Sequence, residues 1–173
     1  MYGKWTALAV VSAMALAACA TTTSPTGRSQ YLAYSDSQLD HMGAKAFTEM
    51  KVKQKTVSGG QQNSYVQCVV NALIAQLPPE WRGKQWETAV FQDDTPNAFA
   101  LPGAKVGVNT GMFKVAKNQD QLAAVIGHEI GHVYARHTNE RVSRQAATST
   151  GLAVLGAVAG ARYGQSGADL GTQ

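Results

Sequence analysis

Charge is sparse in this chain. Lys, Arg, Asp and Glu make up 15% of its 173 residues, against about 25% in an average soluble domain. Much of the shortfall lies at the two ends. The formal net charge is +4, and the excess is thinly spread. Lys51, Lys53 and Lys55 form the one short basic cluster. No aromatic residues alternate with it, so it reads as a solvated helix face and not as a nucleic-acid patch. Cysteine is nearly absent, with Cys19 and Cys68 alone, so no disulfide framework is expected. Long apolar runs are lacking too. The run from Thr6 to Ala18 is short for a bilayer span, and the uncharged stretch 145–161 is short and rich in small residues. That stretch reads as a helix packed on the core or poorly anchored. No internal repeat is found. What remains, 45% apolar residues over this length, suffices for one domain with a core.

The N-terminus, MYGKWTALAVVSAMALAACATTTSP, places Lys4 before the apolar run, which fits the h-region of a secretory signal. The run closes on Leu16-Ala17-Ala18-Cys19. This resembles a bacterial lipobox, with cleavage before Cys19 and diacylglycerol on its thiol. Several acyl chains on Cys19 would anchor the protein stably. A plain signal peptide is the alternative. Ala20, where aspartate is absent, resembles the pattern of lipoproteins sent on to the outer membrane. The expected organisation is a signal at 1–18, a tether at 19–34 rich in Thr, Ser, Pro and Gly, and a folded domain at 35–173. With Cys19 lipidated, Cys68 has no partner. Within the apolar pattern YVQCVVNALI it reads as a buried small hydrophobe.

Ser35, with Gln38 three residues on, predicts a capped helix whose face is Leu39, Met42, Phe47 and Met50. A second helix is expected over 64–77, with Val66, Val69, Val70, Leu73 and Leu77 inward. The paired prolines of LPPEWRG end it. WETAVF (86–91) then alternates as a strand. NAFALPGAKVGVNTGMF (97–113) reads as two short strands joined at Pro102-Gly103. Asn118 caps the next helix, with Asp120 and Gln121 in its first turn. After Arg144 the composition turns glycine-rich, with Arg162 and Asp169 as the only charges beyond residue 150.

That last capped helix carries AVIGHEIGHVYARHTNE. Residues four apart share a helix face, so His128 and His132 can direct ring nitrogens at one cation about 2 Å away. Glu129 lies roughly 60° round the helix from His132 and can reach a water between them. A zinc ion makes such a water acidic. The carboxylate can take its proton and pass it to a leaving amine. This is the chemistry of metal-assisted amide hydrolysis. Leu122, Val125, Ile126 and Val133 give the helix an apolar stripe, while Gly127 and Gly131 weaken it and would let a neighbouring backbone come close. Two satisfied histidines on a polar face are the bland reading.

A zinc site needs more than two protein ligands. On a continuing helix His137 lies about 140° beyond His132 and faces away; a helix-terminal cation beside Arg136 is its simpler role. Glu140 is about 12 Å along the axis. Asp169 is the one later carboxylate.

VIGHEIGHVYARHTNERVSR, NAFALPGAKVGVNTGMF and the lipobox together resemble the M48 family of zinc metalloproteases, in its Oma1-like and outer-membrane lipoprotein branch. The resemblance implies an α+β, zincin-like fold, with helices around a small sheet and an HExxH active-site helix. It implies one Zn2+ per chain, His128 and His132 as metal ligands and Glu129 as catalytic base. The third ligand of the family is a glutamate on a later helix, in an E-x-x-x-D pattern. The sequence holds no such segment, so the domain is expected to be incomplete at its C-terminus, with water or Asp169 filling the shell. The resemblance also implies an extended polypeptide substrate bound along an edge strand by the backbone of Asn97, Ala98, Phe99 and Ala100; alternatively, Phe99 and Leu101 are core. The implied role is an endopeptidase of envelope protein quality control, anchored in the outer membrane through Cys19 and facing the periplasm, with no nucleic-acid partner. The rival is a non-catalytic lipoprotein that binds unfolded polypeptide.

Overall fold

The computed structural model describes residues 21–163, with side chains as far as 150 and at 152. The signal segment, Cys19 and Asp169 lie outside the described residues. The fold is α+β and divides into two units, residues 34–138 and the pair of segments 21–33 and 139–163.

The larger unit begins with helix α1 (Asp36–Lys53). Ser35 starts it as a full capping box. Its hydroxyl accepts from the Gln38 amide at 3.2 Å, and the Gln38 side chain accepts from the Ser35 amide at 2.9 Å. The buried stripe is Leu39, Gly43 and Phe47, one turn apart each. Met42, expected on this face, is 51% exposed. The middle of the stripe belongs to Gly43, because a Cβ there would come within 2.1 Å of the Pro102 carbonyl oxygen. Helix α2 (Gly60–Ile74) starts and stops earlier than expected, with Val66, Val69 and Val70 buried as predicted. Pro78 and Pro79 end this run and open a single helical turn, α3 (Pro79–Arg82).

Strands β3 (Glu87–Phe91), β4 (Ala98–Leu101) and β5 (Lys105–Asn109) form a sheet in the order β3-β5-β4. β3 runs parallel to β5 and β4 antiparallel to it. Alternation divides the side chains between the two faces. Val90, Ala98, Val106 and Val108 join Val66, Val70, Leu122 and Ile126 in the main core. Ala89, Phe91, Phe99 and Leu101 face Phe47 and Met50 of α1. There the ring centroids of Phe47 and Phe91 are 6.0 Å apart, and those of Phe91 and Phe99 are 5.8 Å apart. The turn between β4 and β5 needs Gly103, whose φ is +82°, a region open to glycine at little cost. Its amide donates to Asp40 Oδ1 at 2.7 Å.

The smaller unit corrects the expectation of a tether. Strands β1 (Thr21–Thr23) and β2 (Ser29–Tyr31) pair as an antiparallel hairpin. Polar side chains hold it to the residues after 138. Arg28 forks onto Glu140 through two bonds of 2.7 and 2.6 Å. Gln30 donates to the same carboxylate at 3.2 Å and Arg144 at 2.6 Å. The Ala33 amide donates to Ser143 Oγ at 2.8 Å. A hairpin this short buries little apolar surface, so a polar clamp replaces a core. Among the described residues no helix is long and apolar enough to cross a membrane.

Candidate functional site

Helix α4 (Gln119–Tyr134) carries the motif. Asn118 caps it, its side-chain oxygen accepting from the Gln121 amide at 2.9 Å. Leu122, Ile126, Ile130 and Val133 are buried at the i, i+4, i+8 and i+11 positions. His128 lies opposite that seam and is exposed, while Glu129 flanks the seam and His132 stands between the two, both half-buried. Among the described residues no backbone makes the expected close approach at the two motif glycines. A Cβ on Gly127 would make ordinary contact with Leu73 at 3.5 Å, and one on Gly131 would meet nothing within 4 Å.

The structure brings His128 and His132 together through their Nε2 atoms, 3.0 Å apart, with ring centroids 4.4 Å apart. Two imidazole nitrogens on one tetrahedral zinc, each about 2.0–2.1 Å from it, stand about 3.3 Å apart. The pair is therefore within a few tenths of an ångström of the spacing that a shared ion requires. The donor set fits a cation in kind, since imidazole is a ligand for zinc. Among the described residues no group of three His, Cys, Asp or Glu side chains is placed to hold one metal ion.

His137 departs from expectation. The helix does not continue to it. α4 ends at Tyr134, and Arg136 takes a left-handed φ of 57°. Helix α5 (His137–Tyr163) starts anew. The break swings the His137 ring back, and its Nδ1 lies 2.6 Å from His132 Nδ1. A non-glycine residue at positive φ cannot be read from composition, and so this neighbour was missed. Glu140, weighed as a ligand, is instead the hub of the Arg28 clamp. The hydrogen bond from Arg28 dominates and lowers its pKa to about 2, against the opposing effect of burial.

β4 is an edge strand beside α4. The Asn109 amide donates to the Asn97 carbonyl at 2.9 Å. In an antiparallel ladder, facing pairs alternate between bonded and unbonded. The backbone of Asn97 and Phe99 is thus spent on β5, while that of Ala98 and Ala100 points outward. Phe99 and Leu101 side chains lie with the Phe47 cluster. The opposite edge of the sheet is partly covered, since Val57 donates to Val90 and Gln92 to Lys55, each at 2.8 Å. Cys68, expected to be buried, is exposed. It lies about 200° round α2 from Val66, off the buried stripe. There it lines a groove of about 220 Å³ with Val69, Leu73, Asp120 and Ala123.

The fold and the paired imidazoles define an α+β domain with a candidate metal-binding helix. Residues 60–172 match the profile of peptidase family M48, and the chain belongs to that family. It is 48% identical over 65 residues to the mitochondrial metalloendopeptidase OMA1 of Schizosaccharomyces pombe, covering 38% of this chain and 19% of that protein. It is 37% identical over 119 residues to the beta-barrel assembly-enhancing protease of Yersinia pestis, covering 68% of this chain and 24% of that protein. To the protease HtpX homolog of Streptococcus gordonii it is 33% identical over 94 residues, covering 51% and 29%. The chain thus spans between 19% and 29% of the length of these three relatives.

Proposed function

We propose that this chain carries the catalytic helix and the substrate edge of a zinc-dependent endopeptidase of zincin-like architecture. The observation that supports this most is the convergence of His128 and His132 at 3.0 Å on the helix that packs beside the edge strand β4. His128 and His132 would hold zinc, which supplies the charge that makes an attacking water acidic. Glu129, on the turn between them, takes the proton of that water and returns it to the leaving nitrogen. The backbone of Ala98 and Ala100 binds an extended polypeptide as an added strand, a mode tolerant of sequence. Asn97 and Phe99 shape that strand from the inside. Envelope proteins awaiting quality control are the proposed substrates. Acylated Cys19 is the proposed anchor to the outer membrane, with the domain facing the periplasm.

Glu129→Gln tests the reading. Zinc retention should be unchanged, while casein cleavage falls at least 100-fold, the scale of a lost general base. Cleavage that survives the substitution removes Glu129 from the mechanism. One observation favours a second reading, a polypeptide-binding lipoprotein without catalysis: the described residues supply two imidazoles and no third donor. Peptide binding that is indifferent to zinc and to His128→Ala would select it.

A further inference from the structure

A neutral imidazole carries one hydrogen, so one ring nitrogen donates and the other accepts. Both nitrogens of His132 are engaged. Nε2 lies 3.0 Å from His128 Nε2, and Nδ1 lies 2.6 Å from His137 Nδ1. The second distance is too short for two nitrogens sharing a tetrahedral zinc, which stand about 3.3 Å apart. It is a hydrogen-bond length, and it requires one hydrogen between the two atoms. His137 also approaches the nitrogen remote from His128, so it does not converge on the same point.

We propose that His137 is a positioning residue that accepts the Nδ1–H of His132, and so leaves His132 Nε2 bare and aimed at the metal position. The inference rests on the reading of His128 and His132 as metal ligands. A ligating histidine generally needs such a partner on its second nitrogen, which sets the tautomer and the ring angle. The joint between the helices is built to supply it. Arg136 turns the chain at φ 57°, a conformation that persists only where its surroundings hold it. Its guanidinium donates to Asp36 Oδ2 at 2.6 Å, and Tyr134, on the other side of the joint, meets Trp81 edge-to-face at 5.4 Å. With both flanks tied, the first residue of α5 arrives over the back of the His132 ring.

Two measurements on the 173-residue chain test this. The first is the tautomer of each histidine in metal-free protein, read from long-range 15N–1H couplings. The expected result is hydrogen on Nδ1 of His132 and on Nε2 of His137. Hydrogen on Nε2 of His132 overturns the inference. The second is zinc affinity, measured by competition with a chromophoric chelator. His137→Phe should weaken it 10- to 100-fold. His137→Asn, whose Oδ1 sits on Cγ where Nδ1 does, should restore most of the loss. Equal affinity in wild type and both variants also overturns the inference. A wild-type chain that takes up no zinc sinks the functional reading instead, and the tautomer then decides this question alone.

Discussion

Residues 34–138 and the unit formed by 21–33 with 139–163 are each stable for different reasons. The first is closed by apolar packing on both faces of a three-stranded sheet, with Phe47, Phe91, Val66, Val70, Leu122 and Ile126 fully buried. The second gathers Arg28, Gln30 and Arg144 around one carboxylate, Glu140. Packing energy is nearly indifferent to pH and salt. A charged clamp depends on both. The candidate pair His128 and His132 stands in the first unit, on a helix whose buried seam is apolar.

The largest blow to this contrast is Phe47→Ala. Removing a fully buried ring should cost about 3–5 kcal/mol, seen in urea unfolding followed by Trp81 and Trp86 fluorescence. A cost under 1 kcal/mol would mean that the α1 face is not a true core. Next comes acid. The Glu140 carboxyl is lowered from 4.5 to about 2 in the fold, so the clamp is at full strength above pH 4.5. It weakens as pH falls from there towards 2. Protection factors of the amides at 29–31, taken relative to the intrinsic exchange rate at each pH, should fall over that interval, and Glu140→Gln should lower them at neutral pH and erase the slope. Glu87, half-exposed between Lys51 and Lys105, is shifted in the same direction, but solvent screens it. The larger unit should therefore respond less. The smallest effect is a gain. Gly131→Ala places a Cβ where nothing lies within 4 Å and should stabilise α4 by up to about 1 kcal/mol, measured as a rise in Tm. A loss would show that the space beside His132 is needed.

Periodicity made the larger unit readable. Val66, Val69 and Val70 announce one helix face, and the alternation through Val90, Ala98 and Val106 announces the sheet. Ser35 and Asn118 are caps whose chemistry is local, and the His128–Glu129–His132 spacing needs only the pitch of a helix. What escaped was decided by distant or backbone events. Met42 lost its place because Pro102 presses on Gly43 from another element. Residues 21–31 look like a linker until Glu140 is seen to gather them, more than 100 positions later. His137 was misplaced because the left-handed turn at Arg136 has no compositional signature.

β4 stands at the edge of its sheet. Outward amides and carbonyls at Ala98 and Ala100 do not distinguish a foreign peptide from the same strand of a neighbouring molecule. At high protein concentration two copies should pair edge to edge through β4, so that the apparent mass in light scattering rises as the sample is concentrated and falls again on dilution.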